Sequence, residues 1–302
     1  MCDMKVAVIL LHYKNLDDTL ECLNSLKAQD YANYEIVLID NGSSDLELEG
    51  KILEDPRVCF LKSPTNLGFA AGNNLGIRLA LERGADAVLL LNNDTVVSPD
   101  LVSAFARAAK SNPSAGAFGA KIYYYDDPTV IWHAGGDVNF QTMRCFHHGC
   151  ADCDLEKKWD EVRPIAYACG CALFVTKEAI ASVGMMAPEF FLLWEEIDWC
   201  WRIRKAGYEC LFIPEARVWH KISRSFEGGN RGPLWQYYYF RNRLLFLKRN
   251  HSKGDRYRFY FSQLAKEIGQ ILWTVVNPNS SKETTQRNLS ALKGIRDYFL
   301  KR

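Results

Sequence analysis

The segment Ala87-Val88-Leu89-Leu90-Leu91-Asn92-Asn93-Asp94-Thr95 consists of five apolar residues followed at once by polar ones. An apolar run of this length, bounded by turn formers, predicts a strand buried on both faces of a sheet. In open α/β sheets, ligands bind beyond the carboxyl ends of such strands, where Asn92, Asn93 and Asp94 fall. The polar end of this strand is therefore the first candidate site.

One carboxylate flanked by two amides suits Mg²⁺ or Mn²⁺, hard cations that keep waters and take further ligands from a substrate diphosphate. An Asx-rich turn that only closes a strand has the same composition. The remainder of the chain has to distinguish between these two interpretations.

The amino-terminal hundred residues alternate strands with helices. The predicted elements are a strand at Val6–Leu11, a helix with the apolar stripe Leu16, Leu20, Leu23 and Leu26, strands at Glu35–Ile39 and Val58–Leu61, and a helix ending at Arg83. This alternation predicts an α/β fold with a mainly parallel central sheet flanked by helices. The spacing of Gly68, Gly72 and Gly76 by four argues against a dinucleotide fingerprint and a phosphate-binding loop.

Weaker patterns continue the fold beyond the first hundred residues. They predict a helix at Pro99–Ser111 capped by Ser98, strands at Ala115–Tyr124 and Val130–Ala134, a polar insertion at Asp137–Arg163, a strand at Tyr167–Val175, and two strands at Glu209–Ile213 and Ala216–His220. Gly170, at the centre of one predicted strand, allows a ligand to approach the backbone closely.

Carboxylates cluster in Glu195-Glu196-Ile197-Asp198-Trp199-Cys200-Trp201-Arg202, a predicted helix start whose dipole favours acids. Asp198 and Arg202 lie four residues apart, and an ion pair accounts for both. Glu196 has no such partner in the sequence. His220 ends a predicted strand, although a single histidine is more often structural than a ligand.

Length and composition set broad limits on the class of protein. The chain has 302 residues, of which 48% are hydrophobic, enough for one large domain or two small ones. Val6–Leu11 is too short for a signal peptide, and no apolar run approaches the ~20 residues of a membrane-spanning helix. Ten cysteines at scattered spacings predict reduced thiols and a cytoplasmic location.

The carboxyl-terminal extension, residues 241–302, differs in charge from the rest of the chain. It holds fourteen Lys/Arg against four Asp/Glu, whereas the residues before it hold twenty-three against thirty-two. Its cations are interleaved with aromatic residues such as Tyr257 and Phe261, a mixture that suits a helix lying on an anionic membrane surface. Packing of the aromatic residues on the domain's own core and a homodimer interface are the alternatives.

The segment Cys145–Cys153 contains three cysteines and two histidines, enough for a tetrahedral zinc site. Its spacing matches no standard zinc finger closely. Zinc is therefore kept as an alternative use of this segment.

Together these segments resemble the inverting family 2 glycosyltransferases, and within them the bacterial rhamnosyltransferase-like branch. The resemblance covers residues 4–250 and rests on the order of His12-Tyr13, Asp40-Asn41-Gly42-Ser43 with Asp45, Asn66–Gly76, Leu91–Thr95, Trp132-His133-Ala134-Gly135-Gly136, Gly170, Glu195–Arg202, Val218–His220, and Tyr239, Arg241 and Asn242. His148-Gly149, within Cys145–Cys153, fits the family's loop pattern without a metal.

The resemblance implies a nucleotide-diphospho-sugar transferase fold of the GT-A type with carboxyl-terminal helices. Residues 1–240 would form the catalytic domain, with a donor half at about 1–122 and an acceptor half at about 123–240. In this pattern Asp40 contacts the donor base, while Asp94 and His220 hold a divalent cation, Mg²⁺ or Mn²⁺. The other implied donor-binding residues are His12, Tyr13, Asn41, Gly42, Asn66, Gly68, Phe69, Asn73, Asn92, Asn93 and Gly170.

The implied catalytic base is Glu196. The family's base is usually the Asp of a Glu-Asp pair, and the corresponding pair here is Glu195-Glu196. A shift of one residue in register would make Glu195 the base instead. The metal motif, usually Asp-x-Asp, is Asn92-Asn93-Asp94 in this chain. An inverting transfer requires one such group, because the acceptor hydroxyl must lose its proton on the face opposite the nucleotide.

The expected function is transfer of a sugar, with rhamnose suggested by the branch, from a nucleotide-diphosphate donor to a glycan or lipid-linked acceptor in cell-surface polysaccharide synthesis. Nucleic acid is not among the expected partners. The alternative is a protein that binds a nucleotide sugar without turnover, with the altered metal motif and the Glu-Glu pair marking lost catalysis.

Overall fold

The computed structural model describes residues 3–43, 55–222 and 231–300. Asp45 of the motif that follows Asn41 lies outside these ranges, as do Lys301 and Arg302 at the end of the extension.

The described ranges contain twelve β-strands and nine α-helices. The strands are β1 (Val6–His12), β2 (Tyr34–Asn41), β3 (Val58–Ser63), β4 (Ala87–Asn92), β5 (Thr95–Val97), β6 (Ala115–Tyr124), β7 (Ile131–His133), β8 (Gly136–Asn139), β9 (Arg144–His147), β10 (Arg163–Pro164), β11 (Ala172–Thr176) and β12 (Glu209–His220). The helices are α1 (Leu16–Lys27), α2 (Gly68–Glu82), α3 (Leu101–Ser111), α4 (Lys177–Val183), α5 (Glu195–Lys205), α6 (Pro233–Asn250), α7 (Lys253–Phe259), α8 (Ala265–Val276) and α9 (Lys282–Leu300). A π-helical turn, Tyr260–Leu264, joins α7 to α8.

The main sheet has the strand order β10-β12-β6-β11-β4-β1-β2-β3. Strands β4, β1, β2 and β3 are parallel, β6 and β12 are parallel to each other, and β11 is antiparallel to both of its neighbours, β4 and β6. All the central strands except β11 therefore point in one direction. Their carboxyl ends, together with the amino end of β11, lie along a single edge of the sheet.

Apolar side chains alternate between the two faces of this sheet. In β1, for example, Val8 and Leu10 belong to one core cluster and Ala7 and Ile9 to the other. Helices α1 and α3 cover the first face, while α2, α4 and α5 cover the second. Strands buried on both faces explain the unbroken apolar run of β4.

Several predicted boundaries differ from the structure, each for a local reason. The two predicted strands at 209–213 and 216–220 form one strand with a register shift after Ile213, where Pro214 cannot donate to the ladder. The predicted strand at 167–175 begins only at Ala172, because Tyr167 exchanges backbone hydrogen bonds with Gly136 instead. The helix predicted from Pro99 starts at Leu101, and the insertion at 137–163 contains the hairpin β8–β9.

The extension packs against the same face of the sheet as α5. Leu244, Phe246 and Leu247 of α6 are buried in that core cluster, and Arg243 forms a buried ion pair with Glu267 of α8. Helix α6 runs through the predicted domain boundary at residue 240. Within the ranges that the structure describes, none of the helices has both the length and the apolar character needed to cross a bilayer.

Candidate active site

The ends of β1, β2 and β4 bring the first group of predicted site residues together. Strand register pairs His12 with Asp40 and Leu11 with Asn92, so these positions are neighbours along one edge of the sheet. His12 and Asp40 are both fully buried. Parallel strands thus place residues from three separate parts of the sequence at one crevice, as the strand pattern predicts.

Thr19 in α1 links two of these strand ends. Its hydroxyl lies 2.7 Å from Nδ1 of His12 and accepts a hydrogen bond of 2.8 Å from Nδ2 of Asn93. Sequence reasoning missed this residue because it built the stripe of α1 from four leucines, of which Leu23 and Leu26 are buried but Leu16 and Leu20 are only half-buried. The stripe is instead formed by Thr19, Cys22, Leu23 and Leu26.

Asp40 presents an unused acceptor to the crevice. Its Oδ1 accepts a hydrogen bond of 2.8 Å from the backbone N–H of Ser43, whereas Oδ2 is buried and has no hydrogen-bond partner in the described part of the chain. A buried carboxylate oxygen without a partner is costly unless a ligand satisfies it. Asp40 is therefore suited to accept a hydrogen bond from a bound molecule.

Beside Asp40 lies a hydrogen-bonded group of residues, called the bracket, which consists of Asn41, Gly42, Asn66 and Gly68. Nδ2 of Asn41 donates to Oδ1 of Asn66 at 3.1 Å, and the same Oδ1 accepts from the backbone N–H of Gly68 at 2.8 Å. Gly42 has φ of +80°, and an added Cβ would lie 2.5 Å from the Asn66 nitrogen. These polar groups satisfy one another, so their direct role is to shape the crevice.

Phe69 and Asn73 extend the bracket into α2. The backbone N–H of Phe69 donates to the carbonyl of Phe191 at 2.6 Å, and Nδ2 of Asn73 donates to the carbonyl of Phe69 at 2.9 Å. Oδ1 of Asn73 is buried and lacks a partner among the described residues. Tyr13, directly after β1, is half-buried, and its ring lies 5.3 Å from Nζ of Lys14.

Asp94 and His220 meet although 126 residues separate them in the sequence. Antiparallel pairing of β5 with β12 sets Thr95 opposite His220, and Oδ1 of Asp94 lies 3.1 Å from Nε2 of His220. Two metal ligands at about 2.1 Å from an octahedral ion, and at right angles to each other, lie about 3 Å apart. The residues present therefore fit an Mg²⁺ or Mn²⁺ ion whose other positions are left to water and substrate.

Lys221 and Trp132 hold this pair in place, and neither was among the predicted site residues. The backbone N–H of Lys221 donates to the carbonyl of Asp94 at 2.9 Å, and its buried Nζ forms ion pairs with Asp18, at 2.6 Å, and with Glu21. The ring of Trp132 packs against that of His220 at 4.9 Å between centroids. A lysine directly after a strand-end histidine was the available signal for Lys221.

Glu195 and Glu196 begin α5 after a strained loop. Phe191, Leu193 and Trp194 all have positive φ, from +62° to +76°, although none is glycine. Such conformations persist only when the surroundings enforce them, and they cluster at functional sites. The loop therefore fixes the positions of Glu195 and Glu196 at the start of α5.

The surroundings of Glu195 and Glu196 favour the protonated form of both carboxyl groups. Burial raises the pKa of Glu196 to about 7, and burial followed by the neighbouring charge of Glu196 raises the pKa of Glu195 well above its usual range. Oε2 of each is buried without a hydrogen-bond partner in residues 3–43, 55–222 and 231–300. Asp198, in contrast, forms the predicted ion pair with Arg202 at 2.8 Å.

Gly170 lies beside Glu196, and Cys169 precedes it in the sequence. An added Cβ on Gly170 would approach the ring of Phe69 at 3.2 Å and Cβ of Glu196 at 3.7 Å. Burial raises the pKa of the Cys169 thiol, and the charges of Glu196 and Asp94 both add to the shift. Glu196 therefore lies beside Gly170, and the charges of Glu196 and Asp94 both act on the neighbouring Cys169.

The structure does not support the zinc alternative. Cys145, Cys150 and Cys153 are free thiols, and His148 lies 3.0 Å from Asp137. Across the ranges that the structure describes, no three His, Cys, Asp or Glu side chains are grouped so that they could hold a metal ion by themselves.

Comparison with solved structures defines the class of fold. GalNAc-T7 with UDP, GalNAc and Mn²⁺ gives a TM-score of 0.67 at 15% sequence identity, over 98% of this chain and 56% of that one. The mannosyltransferase PcManGT of Pyrobaculum calidifontis, in complex with GDP-Man and Mn²⁺, gives 0.59 at 13% identity, over 99% and 88% of the two chains. The fold is of the GT-A type, which confirms the prediction.

The sequence defines the family. Residues 7–167 match the profile described as Glycosyl transferase family 2, and the chain belongs to that family. A dTDP-rhamnosyl transferase of Shigella flexneri is 25% identical over 251 residues, which are 81% of this chain and 80% of that protein.

Two further relatives extend the comparison. An N-acetylglucosaminyl-diphospho-decaprenol L-rhamnosyltransferase of Mycobacterium tuberculosis is 26% identical over 208 residues, 63% of this chain and 67% of that protein. An uncharacterised protein of Sinorhizobium fredii is 31% identical over 208 residues, and the match spans 22% of that longer protein. The predicted resemblance to the rhamnosyltransferase-like branch is thus confirmed.

Proposed function

We propose that this chain is an inverting glycosyltransferase that moves a sugar, with dTDP-rhamnose as the expected donor, to a hydroxyl of a glycan or lipid-linked acceptor in cell-surface polysaccharide synthesis. The observation that carries the proposal is the placement of Glu196, whose Oε2 is buried and whose pKa is raised, beside Gly170, at a turn where the charge of Asp94 also acts on Cys169. A base and a diphosphate-binding pair beside one turn are what a single displacement needs.

Asp40 supports a nucleotide donor. Its unpartnered, buried Oδ2 suits the N3–H group of a pyrimidine base such as thymine, which is a hydrogen-bond donor. The bracket formed by Asn41, Gly42, Asn66 and Gly68 would support the nucleoside from the side. Asn92, Asn93 and His12 would line the path from the base to the diphosphate.

Asp94 and His220 would hold the Mg²⁺ or Mn²⁺ ion. When bound, the ion stabilises negative charge on the departing diphosphate. The ion pairs of Lys221 with Asp18 and Glu21 hold the adjacent His220 close to α1. Oδ1 of Asp94 and Nε2 of His220 therefore stay 3.1 Å apart. Asp94 is the single acid of its motif, and we expect the affinity for the ion to depend strongly on it.

Glu196 would take the proton from the acceptor hydroxyl as that oxygen attacks the anomeric carbon. A base with a pKa near 7 can be unprotonated before the reaction and still accept a proton during it. The bond from the anomeric carbon to the diphosphate breaks as the new glycosidic bond forms, and the configuration inverts. Glu195 lies beside this group, and its own raised pKa keeps a second proton nearby.

The names of two relatives support the choice of sugar and acceptor. Both specify rhamnosyl transfer, and the mycobacterial name specifies an acceptor linked to decaprenol through a diphosphate. We propose on this basis that the chain works in the cytoplasm, held peripherally on the inner face of the cell membrane by its extension. We also propose that the chain forms a homodimer. Residues 1–240 would form its catalytic domain and residues 241–302 its carboxyl-terminal extension.

Replacement of Glu196 by glutamine tests the proposal. Glu196→Gln removes the base but keeps the shape of the side chain, so transfer from dTDP-rhamnose should fall by about 10²-fold or more while donor binding is retained. Glu195→Gln should have a milder effect, and the exposed Glu178→Gln in α4 is the matched control.

The same assay separates the enzyme from a binding protein without turnover. Measurement of free dTDP over time, with and without a polyprenyl-diphosphate acceptor, gives the rate. An opposite order of the two glutamate variants would make Glu195 the base. No release of dTDP by the unaltered protein, with any nucleotide sugar that binds, would contradict the proposed function.

A further inference from the structure

The extension contains an open cleft of about 380 Å³ between α6, α7 and α9. Sites for small organic molecules have volumes of about 300–1,000 Å³. Three cations, three tyrosines and one phenylalanine line it, and no acidic residue of the described ranges is part of this lining. None of the residues assigned to the donor, the cation or the catalytic base lines this cleft.

The three cations of the cleft lack carboxylate partners. Within residues 3–43, 55–222 and 231–300, no Asp or Glu oxygen lies within 4.0 Å of Lys248, Lys253 or Arg256. Other arginines of the extension do have such partners, namely Arg243, Arg249, Arg258, Arg287 and Arg296. Positive charges that converge on one cleft without neutralisation attract an anion.

Two tyrosines add hydrogen-bond donors to these charges. The hydroxyl groups of Tyr260 and Tyr298 lie 2.8 Å apart, so one donates to the other. The accepting hydroxyl keeps its own proton for a ligand. Burial raises the pKa of Tyr298, so its hydroxyl keeps its proton at neutral pH. Cations together with hydroxyl donors suit the oxygens of a phosphate group.

Exposed apolar side chains surround the cleft. Tyr257 is 59% exposed, Phe261 80%, Phe299 46% and Leu300 72%. The ring of Phe261 stacks on that of Tyr257 at 6.5 Å, and the ring of Phe299 packs against Tyr260 at 5.5 Å. Eight of the thirteen large apolar residues that are exposed in the described ranges belong to the extension, which makes this surface distinct from the rest of the chain.

We propose that the cleft binds the phosphate group of an anionic phospholipid, while Tyr257, Phe261, Phe299 and Leu300 enter the headgroup region of the bilayer. Cations and apolar rings side by side on a helix are the combination that attaches a protein to an anionic membrane surface. The inference deepens the membrane attachment included in the proposed function, and it does not depend on the transfer chemistry.

Co-sedimentation of the full chain with vesicles tests the inference. The protein should pellet with vesicles that contain phosphatidylglycerol and much less with pure phosphatidylcholine. Lys248→Gln with Lys253→Gln should weaken partitioning onto the anionic vesicles by about tenfold, since surface binding depends on these charges. Lys110→Gln with Lys177→Gln removes the same charge from two exposed lysines of α3 and α4 and should leave binding unchanged.

A second variant, Phe261→Ser, should also weaken binding, because it removes an exposed ring without altering charge. Equal losses in the two double variants would overturn the proposal, since binding would then follow net charge alone. Thermal stabilisation by glycerol phosphate without any pelleting would overturn it in favour of a soluble phosphate ligand. A dimer that dissociates in Lys248→Gln with Lys253→Gln, again without pelleting, would assign the surface to a second copy.

The outcome can be separated from that of the transfer reaction. Glu196→Gln should pellet with anionic vesicles like the unaltered protein even though its transfer of sugar is about 10²-fold slower or more. Loss of vesicle binding in this variant would also contradict the proposal.

Discussion

Asp94 is the residue whose replacement should affect donor binding most clearly. Asp94→Asn keeps the size of the side chain and one hydrogen-bond acceptor but removes the charge that would hold the cation beside His220. We expect the Mn²⁺-dependent part of the affinity for dTDP to fall by about tenfold or more, which corresponds to about 1.4 kcal/mol. Isothermal titration with and without Mn²⁺ measures this difference.

The exposed Asp126→Asn, just after β6, is the matched control for this titration and should retain the Mn²⁺ effect. The fold should be unaffected in both variants, which circular dichroism can verify. If Asp94→Asn binds dTDP with an unchanged Mn²⁺ dependence, Asp94 does not hold the cation.

Single residues of the site were predictable to different degrees. Asp94 follows one apolar strand and His220 ends another, so the strand pattern placed each at a strand end, and the family resemblance implied that the two hold one cation. Their contact at 3.1 Å depends on the short strand β5, which no pattern predicted. Thr19 could not be predicted as a site residue, because its role comes from side-chain contacts across elements that are distant in the sequence, whereas the position of Lys221 directly after His220 was a signal that went unused.

At the scale of elements, the loop before α5 depends on α6. Nδ2 of Asn242 lies 2.7–2.8 Å from the carbonyl oxygens of Phe190, Leu192 and Leu193, and Asn242 is fully buried. These contacts compensate a backbone that is strained at Leu193 and at two neighbouring positions. A helix outside the central sheet therefore fixes the start of the helix that carries Glu196.

Asn242→Ala should release this loop. The carbonyl groups of Leu192 and Leu193 would lose the Asn242 donor, whereas that of Phe190 keeps the backbone N–H of Leu192, and we expect the free energy of unfolding to fall by about 1–3 kcal/mol. Transfer should decrease more than donor affinity, because Glu195 and Glu196 move while Asp40 and Asp94 do not. Urea denaturation followed by tryptophan fluorescence, together with a transfer assay at saturating donor, gives both quantities.

Gln286→Ala, exposed on α9, is the control for Asn242→Ala and should behave like the unaltered protein. A destabilised Asn242→Ala variant with full transfer activity at low temperature would show that the loop keeps its conformation without this side chain.

Elements were predicted well where the sequence pattern is local. The early strands followed from short apolar runs, because they are buried on both faces, and α1 followed from the helical spacing of its leucines. The errors occurred where tertiary contacts override the local pattern: Tyr167 bonds to Gly136 and not within β11, and Pro214 interrupts β12 without ending it. The hairpin β8–β9 was missed because its strands are short and mostly exposed.

At the scale of the whole molecule, the two buried glutamates should make stability depend on pH. Their folded-state pKa values are raised above those of an unfolded chain, so the folded protein binds these protons more tightly. Their contribution to stability is therefore present at acid pH and is lost as the pH rises through the folded-state values. The site is stabilised by the proton that its chemistry must remove.

Glu195→Gln should raise the melting temperature relative to the unaltered protein at pH 8, by a few degrees, and by much less at pH 5. The neutral amide has no charged form to bury, so the gain grows with pH. Differential scanning calorimetry at both pH values measures the difference, with Glu178→Gln as control. If the gain in melting temperature is equal at the two pH values, the charge of Glu195 in the folded protein does not change between them.

The central architecture was predictable from sequence, and the position of one strand was not. Alternating strands and helices predicted a mainly parallel α/β sheet, the family resemblance implied the GT-A type, and the comparisons confirm both. The location of β11 between β4 and β6 could not be predicted, because β11 is short, antiparallel and far from both in the sequence. The proposed donor and acceptor halves therefore share one sheet.

This interleaving has a consequence for biosynthesis. Strands β4 and β6 are complete once Tyr124 has been translated, but the strand that pairs with both ends at Thr176. At about 5–20 residues per second, the nascent chain carries two unpaired apolar strand edges for roughly 3–10 s. Unpaired edges are templates for aggregation. A chaperone that covers such edges on the ribosome would therefore act on this protein mainly during that interval.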